Sequence, residues 1–327
     1  MQVPLSRRNG LIVVFALAAL ALAGTLAFFF RGEKPRFVEY RMPDTLESPT
    51  AIAAGADGDV WFTIDRSDVI GRAHNGAIER ISTSGRNIEP LGVGVAPDGS
   101  AWFTDAVGGG VARVSPAGGV SRFKLDTPIV RLGRLALAPD GSAWFAESTS
   151  YSVTQLKDGR IIRHEVESPR GGPFGVAVAS SGVVWATLQG GDQLLRINTD
   201  GRVETFDVPR RGAVPTDIAI GPDSSAWFIE ARANRIGALH DGKFAEFEVG
   251  VDNAGLSGIA VASDGSVWFG MLREASLGRL RDGKVTIFHL PRKDARPFGV
   301  AVDPANNVWY ADISGYVGML PARFARD

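Results

Sequence analysis

The chain reads as all-β and as a seven-bladed β-propeller, and three observations carry that expectation. Seven tryptophans, Trp61, Trp102, Trp144, Trp185, Trp227, Trp268 and Trp309, stand 41 or 42 residues apart, with none elsewhere. Turn residues recur in phase with them, as Asp98-Gly99 does ahead of Trp102. The last copy also lacks a strand that the residues ahead of the first copy can supply. A period this strict means one supersecondary unit copied seven times. The length of 327 residues would alone suggest about two domains, and the repeat argues instead for one closed array.

Residues 1–9 read as a cytoplasmic tail. Residues 10–30, GLIVVFALAALALAGTLAFFF, carry no charge and read as a transmembrane anchor or a signal sequence. About 20 apolar residues cross a hydrocarbon core as a helix. Ala21-Leu22-Ala23 offers a small-x-small cleavage site, so secretion after cleavage near Ala23 is the alternative. The apolar run continues seven residues past that site, which favours the single-pass anchor. Arg7 and Arg8 would hold the N-terminal end in the cytoplasm, with Arg31, Lys34 and Arg36 weakening that bias. Residues 31–35 are a linker, and 36–327 the propeller.

The second copy shows the unit. Leu91-Gly92-Val93-Gly94-Val95 is a short apolar strand, and Pro97-Asp98-Gly99 a turn in which glycine can take positive φ. Ala101 to Asp105 and Val111 to Val114 follow as strands. After the turn Pro116-Ala117-Gly118-Gly119 comes an alternating outer strand, Val120 to Leu125. Four antiparallel strands per unit make a propeller blade. The seventh copy ends at Tyr316-Val317-Gly318-Met319-Leu320, whereas Arg36 to Pro43 alternates like the outer strand Arg202 to Pro209. The sequence therefore predicts a ring closed three strands plus one, leaving no long open sheet edge. The tryptophans belong to the core, where each can bury roughly 150 to 250 Å².

Composition excludes several functions. Without cysteine there are no disulfides, thiolate metal sites or cysteine nucleophile. Residues 37–327 carry 30 basic and 35 acidic residues, a net charge of −5, which is no footprint for nucleic acid. Asp and Gly are adjacent at the turns, unlike a sialidase-type Asp-box, and no Trp-Asp of a WD repeat occurs.

The blade pattern Gly-Ile/Val-Ala-Val, Pro-Asp-Gly, Trp-Phe-Thr-Glu/Asp, Asn-Arg-Ile-Gly is clearest in Trp227 to Gly237 and in Pro173 to Val178. It resembles the virginiamycin B (streptogramin) lyases over residues 36 to 320. That resemblance implies a seven-bladed propeller opening a cyclic depsipeptide antibiotic by elimination, with a magnesium ion and a histidine base. The family's two histidines, each in a Pro-His motif, fall on Ser257 and Phe298. Two of its glutamates fall on Arg296 and Ile313. Every catalytic position that can be mapped is altered, so the catalytic residues are unknown. His74, His164, His240 and His289 lie at turns or on outer strands, away from the mouth.

The loops entering first strands and leaving second strands should open at the channel mouth. Offsets from the tryptophans place Arg134, Asp217, Phe174 and Phe298 there as candidate ligand contacts. Asp105, Glu147, Glu230 and Asp312 are candidate ligands for a hard cation, magnesium or calcium. The competing reading is that these acids bind loop amides or arginines and hold the blades together, because one equivalent acid per blade is what a repeat-level structural role produces. Asp217 and Arg134 replace small residues of the repeat, which makes them the better site candidates.

The expected function is a membrane-tethered module on the periplasmic side of a bacterial cytoplasmic membrane. It would bind a small molecule or protein partner at the channel mouth and no nucleic acid. The alternative is a magnesium-dependent carbon–oxygen lyase of cyclic depsipeptides or a related hydrolase, using a water-derived base on the metal.

Overall fold

A computed structural model describes residues 36–44, 46–65, 67–83, 90–126, 131–167 and 171–325. The expected span over residues 10–30 lies outside these. Among the described residues no helix is long and apolar enough to cross a membrane.

Residues 37–327 form one compact unit of seven four-stranded antiparallel sheets. Blade one comprises Ser48–Ala54, Val60–Asp65, Val69–His74 and Ala77–Ser82, and blade two Val93–Val95, Ala101–Asp105, Gly110–Val114 and Val120–Lys124. Blade three comprises Leu132–Leu137, Ala143–Glu147, Ser152–Lys157 and Arg160–Glu165, and blade four Pro173–Val178, Val184–Leu188, Gln193–Ile197 and Val203–Asp207. Blade five comprises Pro215–Ile220, Ala226–Glu230, Arg235–His240 and Lys243–Glu248, and blade six Leu256–Val261, Val267–Met271, Ser276–Arg281 and Lys284–His289. Blade seven takes Pro297–Val302, Val308–Asp312 and Tyr316–Leu320, and its outer strand is Val38–Arg41. The closing strand is antiparallel, Val38 opposite Met319 and Arg41 opposite Tyr316, as the alternation of Arg36 to Pro43 predicts. A short helix, Ala322–Ala325, follows blade seven.

Neighbouring first strands touch all the way round, so they line the central channel. Their close approach explains the glycines there: a Cβ on Gly299 would meet the Thr50 carbonyl oxygen at 2.4 Å. Turns between first and second strands put Gly99, and in its place Ser224 or Asn306, at positive φ. Side chains then reinforce the turn, as where Asp98 Oδ1 accepts from the Ser100 amide at 3.0 Å.

Each core cluster lies between blades. Trp61 packs on Val93 and Phe103 of blade two, and Trp185 on Ile218 and Phe228 of blade five. Five tryptophans are buried, while Trp102 and Trp227 are half-buried against the ring.

Candidate functional site

Six of the seven first strands slip register just inside their start, for example between Pro173 and Val176 and between Pro215 and Ile218. A bulge of this kind bends the strand and re-aims a side chain. It leaves backbone amides without ladder partners, and a threonine two residues after the tryptophan supplies them. Thr63 Oγ1 accepts from the Ala51 amide at 3.0 Å, Thr104 Oγ1 from Gly92 at 3.0 Å, and Thr187 Oγ1 from Gly175 at 2.9 Å. The bulged residues include Arg134, Phe174, Asp217, Ser257 and Phe298.

The structure brings four of these together. Arg134, from blade three, reaches Asp217 of blade five, with Nη2 3.2 Å from Oδ2. Its Nη1 donates to the Leu91 carbonyl of blade two at 2.9 Å. The guanidinium carbon lies 5.4 Å from the ring centre of Phe298 in blade seven and 5.9 Å from that of Phe174 in blade four. One arginine thus gathers five blades, with both ionic side chains largely buried. The channel beside it is a cavity of about 120 Å³, lined by Ala51, Arg134, Asp217 and Gly299 among others. The Arg134 Nε is buried and without a partner. Sequence offsets predict the presence of Arg134 and Asp217 at the mouth, but their ion pair across it and the Leu91 carbonyl need the three-dimensional ring.

The carboxylates behave differently. Asp105, Glu147, Glu230 and Asp312 are all buried, each inside its own blade. Asp105 accepts from the Gly108 amide at 2.7 Å and pairs with Arg122 of the outer strand. Glu147 accepts from Thr154 Oγ1 at 2.5 Å and pairs with Arg163 at 3.2 Å. Asp312 accepts from the amides of Arg296 and Ser314 at 2.9 and 2.8 Å and pairs with Arg292. Glu230 has no partner on either oxygen. Burial, then repulsion from Glu246, pushes its pKa up to about 7. The partners have a readable signal, because Arg122, Arg163 and Glu246 stand 17, 16 and 16 residues after their acids.

A magnesium or calcium ion needs several oxygens converging on one point. The four acids do not converge, and among the described residues no group of three or more histidine or acidic side chains could hold a metal ion. The residues present do not fit the ion that the resemblance implies. For Asp105, Glu147 and Asp312 the geometry sides with the reading in which such acids tie strands together, whereas Glu230 is unpaired.

The histidines also stay away from the mouth. His74 pairs with Asp59, while His240 and His289 each share a hydrogen bond of 2.9 Å with a serine, Ser225 and Ser276. His164 stacks on Trp144 with ring centres 5.2 Å apart, and burial lowers its pKa.

A sequence model of the virginiamycin B lyase family matches residues 32–192 and 76–323. The chain belongs to that family. It is 34% identical over 202 residues, 60% of this chain and 70% of the relative, to the virginiamycin B lyase of Nocardia farcinica. A solved streptogramin B lyase superposes with a TM-score of 0.83 at 23% identity, covering 87% of this chain and 96% of that one. A catalytically inactive histidine-to-alanine variant of the Staphylococcus aureus virginiamycin B lyase, solved with quinupristin, gives 0.81 at 23% identity, covering 87% and 98%. At these identities the two structures establish the fold.

Within the virginiamycin B lyase scaffold, Ser257 and Phe298, where the sequence leads one to expect the family's histidines, hold side chains engaged in other contacts. Ser257 is buried and its Oγ donates to the Pro297 carbonyl at 2.7 Å. Phe298 packs on the Arg134 guanidinium. Arg296 offers its backbone amide to Asp312, and the Ile313 amide donates back to the Arg296 carbonyl at 3.2 Å.

Proposed function

We propose that this member of the virginiamycin B lyase family is a membrane-tethered, extracytoplasmic binding propeller that does not carry out the family's elimination. The observation that supports it is the mouth itself, where an arginine–aspartate pair and two phenylalanines stand where a base and a metal would be needed. A general base must reach its proton within hydrogen-bond distance. Serine at Ser257 and phenylalanine at Phe298 offer no base at neutral pH.

Arg134, Asp217, Phe174 and Phe298 are then the ligand contacts. A ligand there would meet aromatic faces, one cation and one carboxylate, which suits a polar small molecule or a partner's loop. The apolar, uncharged stretch 10–30 supplies the tether, with the propeller in the periplasm. A protein of this kind stays with the membrane through alkaline carbonate extraction. Recovery in the soluble exported fraction with Gly24 at its N-terminus would establish cleavage instead.

The lyase alternative has the Nocardia farcinica relative on its side. The deciding experiment incubates the full-length chain, in detergent, with quinupristin and magnesium and follows ring opening by mass spectrometry. The expected result is no turnover. Magnesium-dependent opening that is lost in Glu147→Gln or Glu230→Gln would establish the lyase.

A further inference from the structure

Each tryptophan of the repeat faces a fixed third-strand residue, which is Arg72, Arg113, Gln155, Arg196, Ala238, Arg279 or Met319 in blades one to seven. All four arginines lie over their tryptophan, with the guanidinium carbon 5.3 to 5.9 Å from the ring centre. The outer-strand residue beside the tryptophan is a phenylalanine or tyrosine in five blades, Ile81 in blade one, and a histidine, His164, in blade three alone. Blade three therefore departs from the repeat twice at one place. A long cation has become Gln155, and a phenylalanine has become an imidazole.

The groups that hold the arginine in blade two have counterparts here. In blade two Arg113 Nε donates to Ser100 Oγ at 2.9 Å, Nη2 bonds Asp98, and Ser100 Oγ donates to Asp98 Oδ1 at 2.5 Å. In blade three Ser142 Oγ donates to Asp140 Oδ1 at 2.6 Å in the same way. Gln155 reaches Ser142 at only 3.2 Å, and Lys157 touches the outer oxygen of Asp140 from the rim at 2.7 Å. Lys157 and Ser142 lower the Asp140 pKa to about 2, so the carboxylate stays charged.

The space left open is a cleft of about 390 Å³ between blades three and four, on the face opposite Arg134. Its walls include Asp140, Ser142, Trp144, Gln155 and His164. His164 Nε2 is buried without a partner, and burial keeps the ring neutral and able to accept a hydrogen bond. An indole, a carboxylate and an unpaired ring nitrogen form an acceptor-rich site. Guanidinium is the complement of such a site, since it carries five donors, no acceptor and a planar face that stacks on aromatics. An ammonium ion lacks the planar fork, and a neutral ligand forgoes the charge of Asp140.

We propose that the cleft between blades three and four binds the guanidinium of an arginine side chain from outside the chain, held by Asp140, Ser142, Trp144 and His164 as Arg113 is held by its own blade. The site is separate from the channel mouth and does not depend on how the mouth is used.

The test is calorimetric titration of the full-length chain in detergent with N-acetyl-L-arginine amide. The probe's neutral counterpart, N-acetyl-L-citrulline amide, is titrated alongside. Saturable binding of the arginine probe, with citrulline at least tenfold weaker, is expected. Gln155→Arg should fill the cleft from within and weaken the probe at least tenfold while raising Tm. Asp140→Asn should weaken it about fivefold or more, in line with the loss of a charge-assisted hydrogen bond. Equal binding of both probes, or none of either, overturns the proposal. So does a Gln155→Arg protein with unchanged circular dichroism that binds as well as the parent.

Discussion

In blade seven, Asp312 on the second strand and Glu39 on the outer strand share a fully ordered setting, whereas blade five has Glu230 and Glu246 at the same two registers with almost no partners. Arg292 bonds Asp312 and comes within 3.3 Å of Glu39, and the Tyr310 hydroxyl donates to Glu39 Oε1 at 2.8 Å. In blade five the residue at the place of Tyr310 is Phe228, which has no hydroxyl. The arginine at the place of Arg292 is Arg210, 3.4 Å from Glu246 and about half exposed. Glu246 Oε1 and both oxygens of Glu230 are left buried and unpaired. The same repeat position is thus an ion-paired clasp in one blade and a store of destabilising charge in another. Sequence symmetry conveys the placement of a side chain, and its energetics follow from one or two neighbours.

The largest effect should come from breaking the clasp. Arg292→Ala leaves the buried Asp312 without its cation and removes the same partner from the partly buried Glu39, a change that costs about 3 to 5 kcal/mol. Urea denaturation at pH 7.5 measures it. If Arg292→Ala costs no more than Arg210→Ala, the contrast between the blades is wrong.

Next in size is Glu230→Gln, which should stabilise. A folded pKa of about 7 against 4.5 in the unfolded chain means that the folded state holds this proton more tightly. That contribution is fully present below about pH 4.5 and is lost as pH rises through 7, a span on the order of 3 kcal/mol. The variant should match the parent near pH 4.5, exceed it in stability at pH 8, and show a flatter stability curve between. A parent curve already flat across that window would show that Glu230 does not carry the proton.

Much of the fold is legible in the sequence because it depends on local chemistry repeated seven times. Turn dipeptides such as Asp98-Gly99, the tryptophan period and the alternation of Arg36 to Pro43 each fix something independently, and they agree. The mouth is legible in part. Arg134, Asp217, Phe174 and Phe298 stand out as departures from small residues or as bulged positions, and they do meet. The acids at Asp105, Glu147, Glu230 and Asp312 suggest a metal cradle only while their neighbours in the fold are ignored. Arg122, Arg163 and Arg292 lie 16 to 20 residues away in sequence and come alongside only when the blade folds. The arginine-shaped gap beside Trp144 is a residue-by-residue comparison between blades, visible once the register places Gln155 opposite the indole.

The smallest and sharpest change would make blade five resemble blade seven by a single oxygen. Phe228 lies over Gly237 as Tyr310 lies over Gly318, and Glu246 occupies the register of Glu39. Phe228→Tyr should therefore place a hydroxyl where Glu246 Oε1 has no donor. A hydrogen bond to a charged group adds about 1.5 to 3 kcal/mol at best, and desolvating the new hydroxyl takes back part of it, leaving about 1 kcal/mol. The gain should be larger at pH 8 than at pH 5, since Glu230 beside Glu246 is then ionised. Combined with Glu230→Gln it should shrink, because two changes relieving one repulsion do not add. A Phe228→Tyr protein that is less stable than the parent at pH 8 would mean that the missing hydroxyl is not what separates the two blades, and would leave the reach of Arg292 as the whole difference.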